Sequence, residues 1–133
     1  MRKRWGWLLA VVAVATVACP SDTPTAAAQE ASPEVAYALN HAADAYGVGR
    51  GCLWTIAKRE SRYQPWQNNW QGSGAAGLMQ FQAGTYRWMA GQAGFPTDPG
   101  FRYDAWSAAH VAAWAIRNGY LSHWGGMYAN PGC

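Results

Sequence analysis

The sequence predicts a small, mostly α-helical domain, and three observations carry that expectation. Apolar residues recur at helical spacing between recognisable start and stop signals. No stretch alternates apolar and polar residues as a half-buried strand does, and no internal repeat is visible. The third is length: the chain has 133 residues, and residues 1–28 read as a removable leader, so 29–133 is expected to form one domain.

The leader reading rests on order. Met1-Arg2-Lys3-Arg4 is basic, Trp5 to Ala18 is uncharged and mostly apolar, and a small, polar stretch with Ala26-Ala27-Ala28 follows. The apolar run falls short of the ~20 residues a membrane span needs. Cleavage after Ala28 is expected, giving a secreted or cell-envelope protein with no obligate membrane span. A permanent anchor is one alternative. Lipidation of Cys19 in Thr16-Val17-Ala18-Cys19 is another, ranked second because Thr16 stands where an aliphatic residue is usual. Removing Arg2, Lys3, Arg4 and Asp22 from the ten basic and seven acidic residues leaves a balance of +1. That argues against nucleic acid as the main partner. What the domain has in excess is aromatic surface, more than a small core hides completely.

Ser32-Pro33 reads as an N-cap followed by Pro at the first helical position, with Glu34 in the first turn. Val35, Leu39, Ala42 and Tyr46 recur at helical spacing, and Gly47 supplies the stop. Gly49-Arg50-Gly51 punctuates the chain, so a second helix is expected from about Cys52 to Ser61, with Pro65 preventing its continuation. Residues 62–82 have no period and are rich in Gly and Gln, which reads as a working loop. A short helix is expected over Thr85–Ala90, then a loop with Pro96 and Pro99 over Gly91–Phe101. Asp104 caps a last helix running to Asn118-Gly119, apolar on nearly every side, as a buried central helix is.

Two cysteines remain in the domain, Cys52 and Cys133, and in an exported chain such a pair usually bridges. The bridge would fasten the C-terminus to the segment carrying Glu60 and contribute roughly 4–5 kcal/mol in the chain-entropy model. Two unconnected thiols are the alternative. His41, His110 and His123 lack metal-ligand spacing, so no metal or other cofactor is expected, and each reads as a surface or hydrogen-bonded histidine.

Of the three glutamates, Glu30 and Glu34 belong to the lead-in and a first helical turn. Glu60 differs. Leu53, Ile56, Ala57 and Glu60 fall at i, i+3, i+4 and i+7, so its carboxyl extends an apolar stripe while Lys58, Arg59 and Arg62 point away. A carboxyl held there, without a cation from its own helix, is expected to have a raised pKa, as a general acid requires. Gln67, Asn68, Asn69 and Gln71 beside Trp66 and Trp70 offer neutral hydrogen-bonding groups with aromatic plates, the mixture sugars need. Trp66 and Trp70 are the stacking candidates, and Trp114 reads as core.

Glu60-Ser61-Arg62-Tyr63-Gln64-Pro65, followed by Gly74-Ala75-Ala76-Gly77-Leu78-Met79-Gln80-Phe81 and Thr85, resembles the lysozyme-like lytic transglycosylases. Their signature is Glu-Ser, a Pro four residues after the Ser, then Gly-Ala-x-Gly-Leu-Met-Gln ahead of a Thr. Tyr46-Gly47-Val48 matches their usual lead-in, and the resemblance spans about residues 35–90, with weaker support to the C-terminus. Small size, Trp content and the terminal cysteine are also similar to the resuscitation-promoting factors of actinobacteria.

The resemblance implies a goose-type lysozyme-like helical fold and a monomer acting on peptidoglycan glycan strands. It makes Glu60 the sole catalytic acid and base, supported by a hydrogen bond from Ser61. The Gly74–Gln80 segment, with Gly77 and Met79, would line the glycan groove, and Gln80 would contact sugar. The implied reaction leaves 1,6-anhydro ends. A hydrolytic muramidase using the same Glu60, or a non-catalytic glycan-binding module, are the alternatives, and Asp98 is the least unsuitable second carboxylate for hydrolysis. One departure stands out. The family often carries Ala-Tyr-Asn-Ala-Gly on its last helix, where this chain has Trp114, so Tyr120 and Tyr103 become the candidates for orienting Glu60.

Overall fold

The computed structural model describes residues 30–69 and 72–133. The expected leader, with Cys19, and Trp70 lie outside the described residues. Five α-helices are present among them: α1 (Pro33–Tyr46), α2 (Arg50–Ser61), α3 (Ala83–Ala93), α4 (Ala105–Arg117) and α5 (Gly126–Ala129). Two 3-10 turns, Pro99–Tyr103 and Leu121–Trp124, complete the set. No strand occurs among the described residues, and the expected mostly α fold is the observed one.

α1 forms for the reasons its sequence states. Ser32 Oγ accepts from the Val35 N–H at 3.2 Å, Pro33 opens the first turn, and Gly47 closes the helix in the left-handed region at φ 65°. Such a serine cap contributes about 1 kcal/mol. Its buried face, Val35, Ala38, Leu39, Ala42 and Ala43, lies on α4. α4 is the central helix expected, buried from Ala105 to Ala113 except at Trp106. Its many alanines let α1 approach closely, and Asp104 caps it, accepting from Ser107 N at 2.9 Å and Ser107 Oγ at 2.6 Å.

Two helices begin earlier than their sequence suggests. α2 starts at Arg50, not Cys52, because the Arg50 guanidinium grips Asp44 across the Gly47–Gly49 turn (Nε–Oδ1 3.0 Å, Nη2–Oδ2 2.6 Å). α3 runs over Ala83–Ala93, outside the expected 85–90. Gly84 and Gly91 lie inside the helix, and the true stop is Gly94 at φ 78°. Within the expected 91–101 loop, Asp98 caps the first 3-10 turn by accepting from Gly100 N at 2.7 Å.

The C-terminal segment carries structure that periodicity could not reveal. After α4 it turns through Leu121–Trp124 and α5 and returns to α2, where Cys133 is bonded to Cys52 with Cα atoms 4.4 Å apart. The expected disulfide is formed. No helix among the described residues is long and apolar enough to cross a membrane.

Candidate active site

Glu60 occupies the last turn of α2. Leu53, Ile56 and Ala57 are fully buried, and Glu60 continues their line to the edge of the core, where it is half-buried. Burial pushes its carboxyl above the ordinary glutamate range, and the Arg59 guanidinium pulls it part of the way back. The expected direction therefore holds, but the helix does supply one cation that Glu60 feels. The ion pairs among the described residues are Arg50–Asp44 and Lys58–Glu30, so neither holds the Glu60 carboxyl. Glu60 is half-buried, so part of its side chain reaches solvent.

The backbone just beyond Glu60 is strained. Arg62 and Tyr63 take left-handed φ values of 52° and 64°, which cost about 1 kcal/mol or more each for non-glycine residues. Hydrogen bonds from Arg62 N to Lys58 O (3.0 Å) and Tyr63 N to Ala57 O (3.3 Å) hold the turn. The buried Tyr63 ring, set edge-on to Trp54 with centroids 5.3 Å apart, anchors it.

Alongside runs the glycine-rich segment Gly74–Phe81, six of whose eight carbonyls accept hydrogen bonds. Asn69 N donates to Ala75 O (2.9 Å), Ser61 Oγ to Leu78 O (2.8 Å) and Trp124 Nε1 to Met79 O (2.9 Å). Gln80 Nε2 donates to Gly77 O (2.9 Å) and to Gln67 O (3.1 Å). Arg102 Nη1 donates to Gly74 O and Phe81 O, both at 3.1 Å. Gly77 is obligatory here. Its φ is 83°, and a Cβ would fall 1.7 Å from Arg102 O.

These contacts define where each expected site residue lies. Ser61 is buried, and its hydroxyl faces Ala57 O and Leu78 O, so it ties α2 to the glycine-rich segment. No bond from Ser61 to the Glu60 carboxyl occurs among the described residues. Gly77 and Met79 are buried, Met79 within the core, so they frame the segment from behind. Gln80 is half-buried with its amide nitrogen engaged, leaving Oε1 as its outward group. Trp66 is 69% exposed and Asn69 is exposed.

The possible partners of Glu60 are engaged elsewhere. Asp44 pairs with Arg50, and Asp98 and Asp104 cap turns. Trp114 is half-buried, not fully core, stacked on Tyr120 with Trp88 edge-on to both. Tyr103 lies beside its neighbour Arg102. Neither Tyr103 nor Tyr120 hydrogen-bonds to Glu60 among the described residues. His41 and His110 bond to each other at 2.9 Å, and no cluster of three metal-ligating side chains occurs among the described residues.

Three residues that hold the site escaped sequence reasoning: Arg102, Trp124 and Asn130. Arg102 and Trp124 act through backbone carbonyls far along the chain and Asn130 through the distant Arg59 side chain, which no local spacing encodes. A cleft of about 590 Å³ lies nearby, lined by Glu30, Lys58, Arg59, Arg62 and Gln64. Its walls are mostly charged, and Glu60 is not among them.

A small helical domain with a half-buried carboxyl, raised above its ordinary range, on the helix that Ser61 ties to a glycine-rich segment has the equipment of a glycan-cleaving enzyme. The family model of the transglycosylase SLT domain matches residues 37–128. The chain belongs to that family, whose domains act on peptidoglycan. No curated protein matches the chain.

Proposed function

We propose that this chain cleaves the β-1,4 bond between N-acetylmuramic acid and N-acetylglucosamine in peptidoglycan, with Glu60 as acid and then base. The observation that carries the reading is the Glu60 carboxyl itself, accessible yet pushed upward by burial, so that it holds a proton closer to neutral pH. Protonated Glu60 donates to the glycosidic oxygen as the muramic C1–O bond breaks, and the substrate's N-acetyl group stabilises the oxocarbenium-like centre. The Glu60 carboxylate then takes the proton of the muramic C6 hydroxyl, whose oxygen closes on C1. The products are a 1,6-anhydro end and a free 4-hydroxyl, with Glu60 protonated again.

The engagement of Asp44, Asp98 and Asp104 elsewhere supports this route over hydrolysis with a second carboxylate. Trp66 and Asn69 on the exposed loop, Trp70 next to it and Gln80 through Oε1 are the proposed sugar contacts. Ser61, Gly77 and Met79 shape the groove from beneath. We read residues 1–28 as the export signal that delivers the domain to a substrate outside the cytoplasmic membrane, and the working unit as a monomer. Clearing of purified cell wall by wild type and by E60Q tests the assignment: activity that survives in E60Q would refute it.

A further inference from the structure

One hydrogen-bonded chain connects the glycine-rich wall to the residue next to Glu60 through the C-terminal segment. Trp124 is buried and its ring meets Phe81 edge-on at 5.4 Å. Its Nε1–H donates to Met79 O at 2.9 Å, in the middle of the wall. Its own carbonyl accepts from Asn130 Nδ2 at 2.7 Å. Asn130, fully buried, also donates to Gly126 O at 3.0 Å and accepts from Arg59 Nη1 at 2.5 Å through Oδ1. Arg59 Nη1 further donates to Ala129 O at 3.0 Å. Three residues on, Cys133 donates its N–H to Asn130 O at 3.0 Å and is bonded to Cys52.

The C-terminal hook therefore touches α2 at both ends, at Cys52 in the first turn and at Arg59 in the last. Those points lie about 10 Å apart along the helix axis. A segment fixed at two such points cannot pivot on the helix. Its third contact, Trp124 to Met79, then holds the wall at one height relative to α2. The same geometry explains a fully buried asparagine in a small core, since its amide has both donors and its acceptor occupied.

We propose that Trp124 and Asn130 are positioning residues: the disulfide-tethered hook sets the distance between the Gly74–Phe81 wall and the Glu60 helix, and thereby the affinity for the glycan strand. This rests on the reading of Glu60 and the wall as the two sides of one groove. Neither residue touches substrate or the Glu60 carboxyl, although Asn130 holds the Arg59 guanidinium that Glu60 feels. The hook's role is registered in binding.

The test uses the whole chain in an E60Q background, where binding is read without turnover, with a soluble peptidoglycan tetrasaccharide as probe. W124F keeps an aromatic ring but deletes the N–H and part of the indole's volume. C133S releases the far end of the hook without touching the wall, and serves if W124F fails to fold. Calorimetry well below the melting temperature is expected to show roughly tenfold weaker binding in either variant, the loss that a small misplacement gives. With Glu60 restored, the same variants raise KM while the alkaline limb of the kcat profile, where Glu60 loses its proton, stays in place. A purely structural role for Trp124 would lower the melting temperature and leave Kd within twofold of E60Q, which would overturn the proposal. Displacement of the alkaline limb with unchanged KM would overturn it too. If E60Q itself fails to bind the tetrasaccharide, the groove reading fails first and takes this one with it.

Discussion

At the scale of single residues, the proposed role of Glu60 sets function against stability. Its carboxyl sits above its ordinary range because burial penalises the charge. Folding therefore favours the protonated form, and stability falls as pH rises from the unfolded value through the folded one, leaving a fixed penalty at neutral pH. E60Q removes the penalty. It is expected to raise the melting temperature at pH 7 and much less at pH 4, while wall clearing falls about 10²–10⁴-fold. Calorimetry at both pH values, beside a turbidity assay, checks the pair. The histidine couple gives a second prediction. His110 Nδ1 must donate to Trp106 O (2.8 Å), so its Nε2 accepts from His41 Nδ1. Burial holds His110 below its ordinary value of 6.5. Between that value and the lower folded one, the unfolded chain binds more protons, so stability falls as pH drops below about 6.5. Melting temperatures from pH 7.5 to 5 follow the loss. An NMR titration of His110 with a midpoint at or above 6.5 would contradict this account.

At the scale of elements, the glycine-rich wall is the part most sensitive to one atom. G77A drives a methyl group into Arg102 O and demands φ 83° of an alanine. We expect a destabilisation of about 2–4 kcal/mol, read by urea unfolding, whereas G84A on an open helix face is expected to stabilise by up to about 1 kcal/mol. α1 and α4 were legible in the sequence because their caps, Ser32 and Asp104, and their apolar periodicity are local signals. The start of α2 was not, because the Arg50–Asp44 pair that recruits its first turn is a contact between elements. Glu60 was legible from its place on an apolar stripe. The hydroxyl of Ser61 was not, because its partner Leu78 O lies seventeen residues on, in a segment without period. The same reason hid Arg102, Trp124 and Asn130.

At the scale of the whole molecule, the domain is a helical core closed by its own C-terminus. The Cys52–Cys133 bridge spans a sequence separation of 81, so opening it releases nearly the whole domain from one constraint. A C52A/C133A double variant is expected to lose roughly 4–5 kcal/mol, a fall in melting temperature of ~15 °C or more, and reductant should mimic it. The central claim, however, concerns what the molecule leaves behind on the wall. A lone carboxyl that first donates and then removes a proton delivers the muramic C6 oxygen, not water, to C1. Mass spectrometry of the fragments released from purified peptidoglycan reads that choice directly. Muramic ends lighter than hydrolysis products by one water and lacking a reducing group are expected, absent when E60Q is used. Reducing muramic ends carrying an oxygen from labelled water would contradict the central claim.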